Sequence, residues 1–219
     1  MGCTIGLHGV LVGAGPGVGN HVAKKFGDNH FRVVLVSRNQ EALNQYVQEL
    51  KSEGIEAYAI VADAANPLSL TEAFDQIKRN YGTTDVLVYN AAVLKSGKPT
   101  SLTAESLVSH YQVDVAGALH CALQVVPEQV KQQSGTILFT GGGFALYPMA
   151  DHASVSIGKA ALRNLAFTLA DELKPQGVFV GTVTIAGAVA PGTHFSPERI
   201  AEKYWELHVN REEHEIVYS

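Results

Sequence analysis

Two short stretches carry residues whose types and spacing suggest chemistry. The first is GAGPGVG, residues 13–19. It follows the apolar run GVLV and opens the amphipathic stretch VGNHVAKKF, so it reads as strand, turn and helix start. Gly13, Gly15, Gly17 and Gly19, with Pro16 and Val18 between them, let backbone amides approach an anion closely. The helix that follows offers its N-terminus to a pyrophosphate. The alternative is a tight turn that holds no ligand. The second stretch is DHASVSIGKAAL, residues 151–162, in which Lys159 could hold or tune a neighbouring group. One helical turn earlier stands Val155, which has no proton to move.

A dinucleotide held by such a loop finds its ribose partner about 20 residues further on. The residues there are VSRNQ, with Ser37 and Arg38 and no acid at the strand end. A guanidinium suits a 2′-phosphate in charge and in bidentate geometry, so NADP is expected rather than NAD. Arg38 as a solvated first-turn residue is the competing reading.

The elements that must position these residues follow from the rest of the chain. Its 219 residues suit one domain spanning 1–219, with enough length to bury a core without staples. Net charge is −5 and no Lys/Arg run exceeds two residues, which argues against a nucleic-acid partner. Cys3 and Cys121 form neither a disulfide framework nor a metal spacing, and no metal site is expected. The start MGCTIG lacks a basic n-region, matches a myristoylation signal only in part, and no segment is long and apolar enough to span a membrane. A cytoplasmic protein is expected. Apolar runs such as RVVLV and TILF alternate with amphipathic stretches such as QEALNQYVQELKSEG, whose helix Gly54 should stop. Ser196 is the candidate N-cap of PERIAEKYWELH. Near-continuous apolar strands between helices predict an α/β, doubly wound Rossmann fold, with a seven-stranded, mostly parallel sheet and helices on both faces.

The glycine spacing is G-x-x-x-G-x-G rather than G-x-G-x-x-G. With YNAA after the fourth strand and GKAAL on a later helix, nearly the whole chain resembles a short-chain dehydrogenase/reductase. The resemblance implies that Asp63, with Ala64 beside it, contacts adenine, and that Asn90, Ala91 and Ala92 hold the nearby ribose. Tyr89 and Ala92 depart from the family's usual NNAG. The family's proton chemistry uses a tyrosine, a lysine four residues later, a serine 13 residues before the tyrosine, and an asparagine on the preceding long helix. The matching positions here are Val155, Lys159, Gly142 and Asp114. Three of the four are changed, so the usual mechanism cannot run on them.

Substitutes are conceivable. His152 lies two turns before Lys159 and could act near neutral pH if the helix starts at Asp151; a solvent-facing first-turn histidine is the plainer reading. Tyr147, Ser154 and Thr140 are further candidates, each with a structural alternative. Asp114 could pair with Lys159 or bind a water. The resemblance also implies a turn at Ala186-Gly187 or Pro191-Gly192, with Val189 giving a backbone carboxamide contact under the first register, and a lid cut down to residues 193–196. Pairing of the helices over 101–133 and 151–174 would make a homodimer or homotetramer. Two functions remain: an NADP(H)-binding protein that senses, carries or scaffolds, and an oxidoreductase acting on a small carbonyl or alcohol through His152, Asp114 or water.

Overall fold

The computed structural model describes residues 7–219; Cys3 and the MGCTIG start lie outside the described residues. The apolar runs form seven strands: β1 (His8–Val12), β2 (Arg32–Ser37), β3 (Ala57–Val61), β4 (Val86–Tyr89), β5 (Gly135–Gly142), β6 (Val178–Ile185) and β7 (Glu215–Tyr218). Their order is β3-β2-β1-β4-β5-β6-β7, and every neighbouring pair is parallel. The sheet is therefore parallel throughout, not merely in the main. β5 and β6 are buried along their whole length, which is why they read as continuous apolar runs.

Among the described residues, seven α-helices cover the two faces. α1 (Val18–Asp28), α2 (Gln40–Ser52) and α7 (Pro197–Asn210) share one core with Leu35, Val88 and Leu138. α3 (Pro67–Tyr81), α5 (Gly117–Gln132) and α6 (Ala153–Leu173) share the other with Val34, Leu87 and Phe139. α4 (Ala104–Tyr111) runs into α5 through a π turn over Gln112–Ala116. Helix punctuation follows the sequence signals at Gly54 and Gly82, both with positive φ, and at Pro67, the first residue of α3. Ser196 occupies the N-cap position of α7, as expected, although its hydroxyl makes no capping hydrogen bond. No helix of the described residues is long and apolar enough to cross a membrane.

The segment 101–133 was expected as one long helix, and the π turn interrupts it. Gly117 lies so close to the segment after β3 that a Cβ would sit 2.4 Å from the Ala64 carbonyl oxygen. The Tyr89 hydroxyl, pushed above its ordinary pKa by burial, donates to the Val113 carbonyl inside the π turn. The widened turn thus seats the helix on β4 and aims Asp114 toward the ends of the strands.

Candidate functional site

Strand order reverses between β1 and β4, because β1 leads outward to β2 and β3 while β4 begins the opposite half. Crossovers diverge there and leave a crevice beyond the strand C-termini. A cleft of about 710 Å³ occupies that place. Of the cofactor residues expected from sequence, Gly13, Gly15, Gly17, Val18, Gly19, Ser37, Arg38, Asp63, Ala64, Asn90, Ala91, Ala92, Lys159 and Val189 line it. Pro16, Asp114 and His152 do not line it.

The glycines divide into two kinds. At Gly13 φ is +89°, and a Cβ would fall 2.3 Å from the Ala91 nitrogen; at Gly19 it would fall 2.9 Å from the Gly13 oxygen. These two are demanded by the chain's own packing. At Gly15 and Gly17 a Cβ would meet nothing within 4 Å, so their open side belongs to whatever approaches from the cleft. His21 braces the loop from behind: Nδ1 lies 2.9 Å from the Gly17 carbonyl oxygen, and Nε2 lies 3.1 Å from Glu198 on α7.

A hydrogen-bond hub joins the loop to the inner end of the cleft. Asn90 donates its amide to the Gly13 carbonyl at 2.9 Å. Thr140, near the end of β5, donates its hydroxyl to Asn90 Oδ1 at 2.9 Å and accepts from the fully buried Tyr204 of α7 at 2.6 Å. Lys159 donates Nζ to the Thr140 carbonyl at 2.6 Å. Asn90 and Lys159, both expected from sequence, line the cleft, whereas Tyr204 gave no sequence signal, since 64 residues separate it from its partner.

At the opposite end, Arg38 stands exposed after β2, and no ion pair engages it among the described residues. Asp63 Oδ1 accepts from the Ala65 amide at 3.0 Å, and the Asp63 amide donates to the Ser69 hydroxyl oxygen at 3.1 Å.

Of the four positions that the family resemblance marks for proton chemistry, the other three lie around Lys159. Val155 is buried and forms part of the cleft wall. A Cβ on Gly142 would rest on the Lys159 methylenes at 3.5 Å, so the side-chain space at Gly142 opens toward the lysine. Lys159 is only 8% exposed, and burial pulls its pKa down to about 8 against the opposing pull of Asp114. Asp114 is also buried; desolvation raises its pKa, while the Val93 amide, donating at 2.7 Å, and the charge of Lys159 oppose this. Its carboxylate lies against Gly158, where a Cβ would come within 2.6 Å. Asp114 thus fixes the backbone after β4 rather than forming a direct ion pair with Lys159.

His152 departs from the position expected of it. α6 begins at Ala153, leaving His152 as a non-helical N-cap residue instead of a member of the Lys159 face. A two-residue bridge to Gly97 pins its backbone, its ring stacks on Phe144 with centroids 5.1 Å apart, and Nε2 faces Ser96 at 3.2 Å. Phe144, which the sequence reading did not single out, stands between it and the cleft. Tyr147 is exposed outside the cleft lining, and Ser154 is buried against His110 at 3.0 Å.

After β6, Gly187 and Val189 line the cleft, whereas Pro191 and Gly192 do not. A Cβ at Gly187 would lie 2.1 Å from the Phe195 ring, so Phe195 seals that turn from outside. His194 stacks on Tyr218 of β7 at 4.6 Å, and the Tyr218 hydroxyl donates to the His194 carbonyl at 2.7 Å. The short segment 193–196 is therefore clasped to the last strand.

Known proteins share this layout. A solved actinorhodin polyketide ketoreductase with NADPH is 20% identical, with a TM-score of 0.89 over 96% of this chain and 93% of that one. A metagenomic short-chain oxidoreductase in complex with NADP is 24% identical, with a TM-score of 0.88 over 96% and 95%. At such identities the likeness is one of fold. An uncharacterized oxidoreductase of Staphylococcus epidermidis is 28% identical over 196 residues, covering 88% of this chain and 84% of its own length. The family model described as short chain dehydrogenase matches residues 8–199, which include the glycine loop, Asn90 and Lys159. The chain belongs to the short-chain dehydrogenase family.

Proposed function

We propose that the cleft binds a nicotinamide dinucleotide, NADP(H) in preference to NAD(H), and that the chain works as a cofactor-binding, sensing or scaffolding protein without its family's usual proton chemistry. The open side of Gly15 and Gly17, beside a helix N-terminus, fits a pyrophosphate. Arg38 and Ser37 would take the 2′-phosphate, Asp63 and Ala64 the adenine, and Asn90 to Ala92 the ribose beside the loop. Lys159 would hold the nicotinamide ribose through the N–H groups not committed to Thr140, and Val189 the carboxamide through its backbone. The two similar structures that carry NADPH and NADP support the same assignment.

The bound group supplies a hydride. A carbonyl accepting it also needs a proton, and the observation that carries the proposal concerns that proton. Gly142 and Val155 stand where the family places two hydroxyls, and both face the cleft. The polar side chains left at this end are Thr140, whose hydroxyl is already bonded twice, and Lys159. His152 sits behind Phe144, and Asp114 is turned to Val93. Losing one acid–base group costs roughly 10²–10⁴ in rate, and here the donor and the oxygen-holding group are both replaced.

Self-association belongs to the same proposal. α4, α5 and α6 carry exposed Val108, Tyr111, Leu119, Leu123, Ile157 and Phe167, a set suited to a homodimer or homotetramer. The binding test is a thermal-shift titration with NADPH and NADH. A ligand at 100 times its Kd stabilises by roughly 2.7 kcal/mol. Stabilisation by NADPH at lower concentration than by NADH is expected; no shift with either would refute the reading.

A further inference from the structure

We infer that the inner end of the cleft takes an uncharged, planar aromatic ligand that presents no hydrogen-bonding oxygen to the Val155 wall. The inference rests on the proposed cofactor reading, because the cofactor would form the remaining wall.

The first ground is the polarity of the site. Val93, Val113, Phe144 and Val155 line this end, and Gly142 adds no side chain between them. The Thr140 hydroxyl gives its proton to Asn90 and receives that of Tyr204, so it has none left for a ligand. Lys159 gives one N–H to the Thr140 carbonyl, and the proposed reading assigns the others to the cofactor ribose. A ligand oxygen directed at Val155 would lose its water without gaining a side-chain donor. That discriminates against it by roughly tenfold to a hundredfold relative to an apolar group of the same shape.

The second ground is shape. Phe144 is held from behind by His152, with ring planes 20° apart and centroids at 5.1 Å. The neighbouring Gly143 packs closely on the turn after β6, where a Cβ would lie 2.9 Å from the Ala186 Cα. A ring on the cleft lining, backed by a second ring, favours offset stacking by a flat ligand. The third ground is the mouth. Leu94 is 77% exposed and Val189 43% exposed, both on the cleft lining, and apolar side chains left in water around a concavity mark a ligand site.

The test uses an isosteric pair, α-methylstyrene and acetophenone, which differ by a methylene in place of the carbonyl oxygen. NADP⁺ is titrated first by calorimetry, and each compound is then titrated into the NADP⁺-saturated protein. We expect α-methylstyrene to bind at least about tenfold more tightly. The variant Gly142→Ser with Val155→Tyr, which returns two hydroxyls, should bring the two affinities together or invert them. Val155→Thr, a smaller change, should move the ratio in the same direction if the double variant does not fold. Equal or tighter binding of acetophenone by the native protein, a ratio unmoved by the variants, or no binding of either compound beside normal NADP⁺ binding would each overturn the inference alone. Absence of NADP⁺ binding would overturn the cofactor reading and, with it, this one.

Discussion

Replacing Thr140 with valine keeps the shape of the side chain and removes one hydroxyl from the hub that joins the glycine loop to α7. Two partners are stranded. Tyr204 is fully buried and loses its acceptor at 2.6 Å; Asn90 Oδ1 loses its donor at 2.9 Å but borders the cleft, where water can replace it. A stranded buried polar group costs about 1–3 kcal/mol, and a replaceable one sits near the low end. Thr140→Val should therefore cost about 2–4 kcal/mol. Urea unfolding of a chain this size reads that as a midpoint lower by about 1 M. Because Asn90 also holds the Gly13 carbonyl, NADPH affinity should fall with it, by about tenfold for each 1.4 kcal/mol lost from the loop. Tyr204→Phe removes only the outer bond, so it should cost about 1–2 kcal/mol and leave NADPH affinity within about twofold. The two substitutions share one hydroxyl and should be clearly non-additive. A Thr140→Val loss below about 0.5 kcal/mol, or additive costs in the double variant, would refute the hub.

Further outcomes follow from other residues. Arg38→Gln should weaken NADPH by about 10- to 100-fold and NADH hardly at all, since it removes a charge-assisted contact to a group only NADPH carries; a direct comparison of the two titrations checks it. Lys159→Met should weaken NADPH and abolish the pH dependence expected of the native protein, in which affinity falls as pH rises through about 8 and the ammonium discharges. Acid should destabilise the fold through His208, whose pKa burial, then Arg211, pushes down to about 4. Thr136 accepts from Arg211 at 3.0 Å and so offers its proton to His208 Nδ1, also at 3.0 Å, which fits a neutral ring. The unfolded histidine titrates near 6.5, so its contribution is present above that pH and is lost as pH falls toward 4. With the ring only partly buried, about 1–2 kcal/mol is expected, read by urea unfolding across that window and absent in His208→Gln.

What was legible in the sequence was local. Residues 13–19 announced a strand–turn–helix because the glycines, the preceding apolar run and the following amphipathic stretch all lie within one short segment. Val155 and Gly142 drew notice because their positions are counted from Lys159, and both line the cleft. What escaped depends on contacts between distant segments. Tyr204 and Thr140 meet only when α7 packs beneath β5, and nothing within the stretch EKYWEL signals it. The π turn at Asp114 arises from Gly117 packing on Ala64 and from the Tyr89 hydroxyl, a residue visible in sequence only as a departure from a pattern. His152 would share the Lys159 face if the helix began at Asp151, but α6 begins only at Ala153, after the bridge of His152 to Gly97. Phe144 followed a glycine run and gave no periodic signal, yet it separates His152 from the cleft.

The central claim is that this chain holds the cofactor without using it in the family's way, and one fluorescence trace tests both halves. NADPH is added to the protein until its emission saturates, and an excess of a small carbonyl compound follows. The account predicts saturable enhancement and then a flat signal, with decay appearing only when Gly142→Ser and Val155→Tyr are introduced together. Decay in the native protein at a rate that depends on the carbonyl, or no enhancement on adding NADPH, would contradict it.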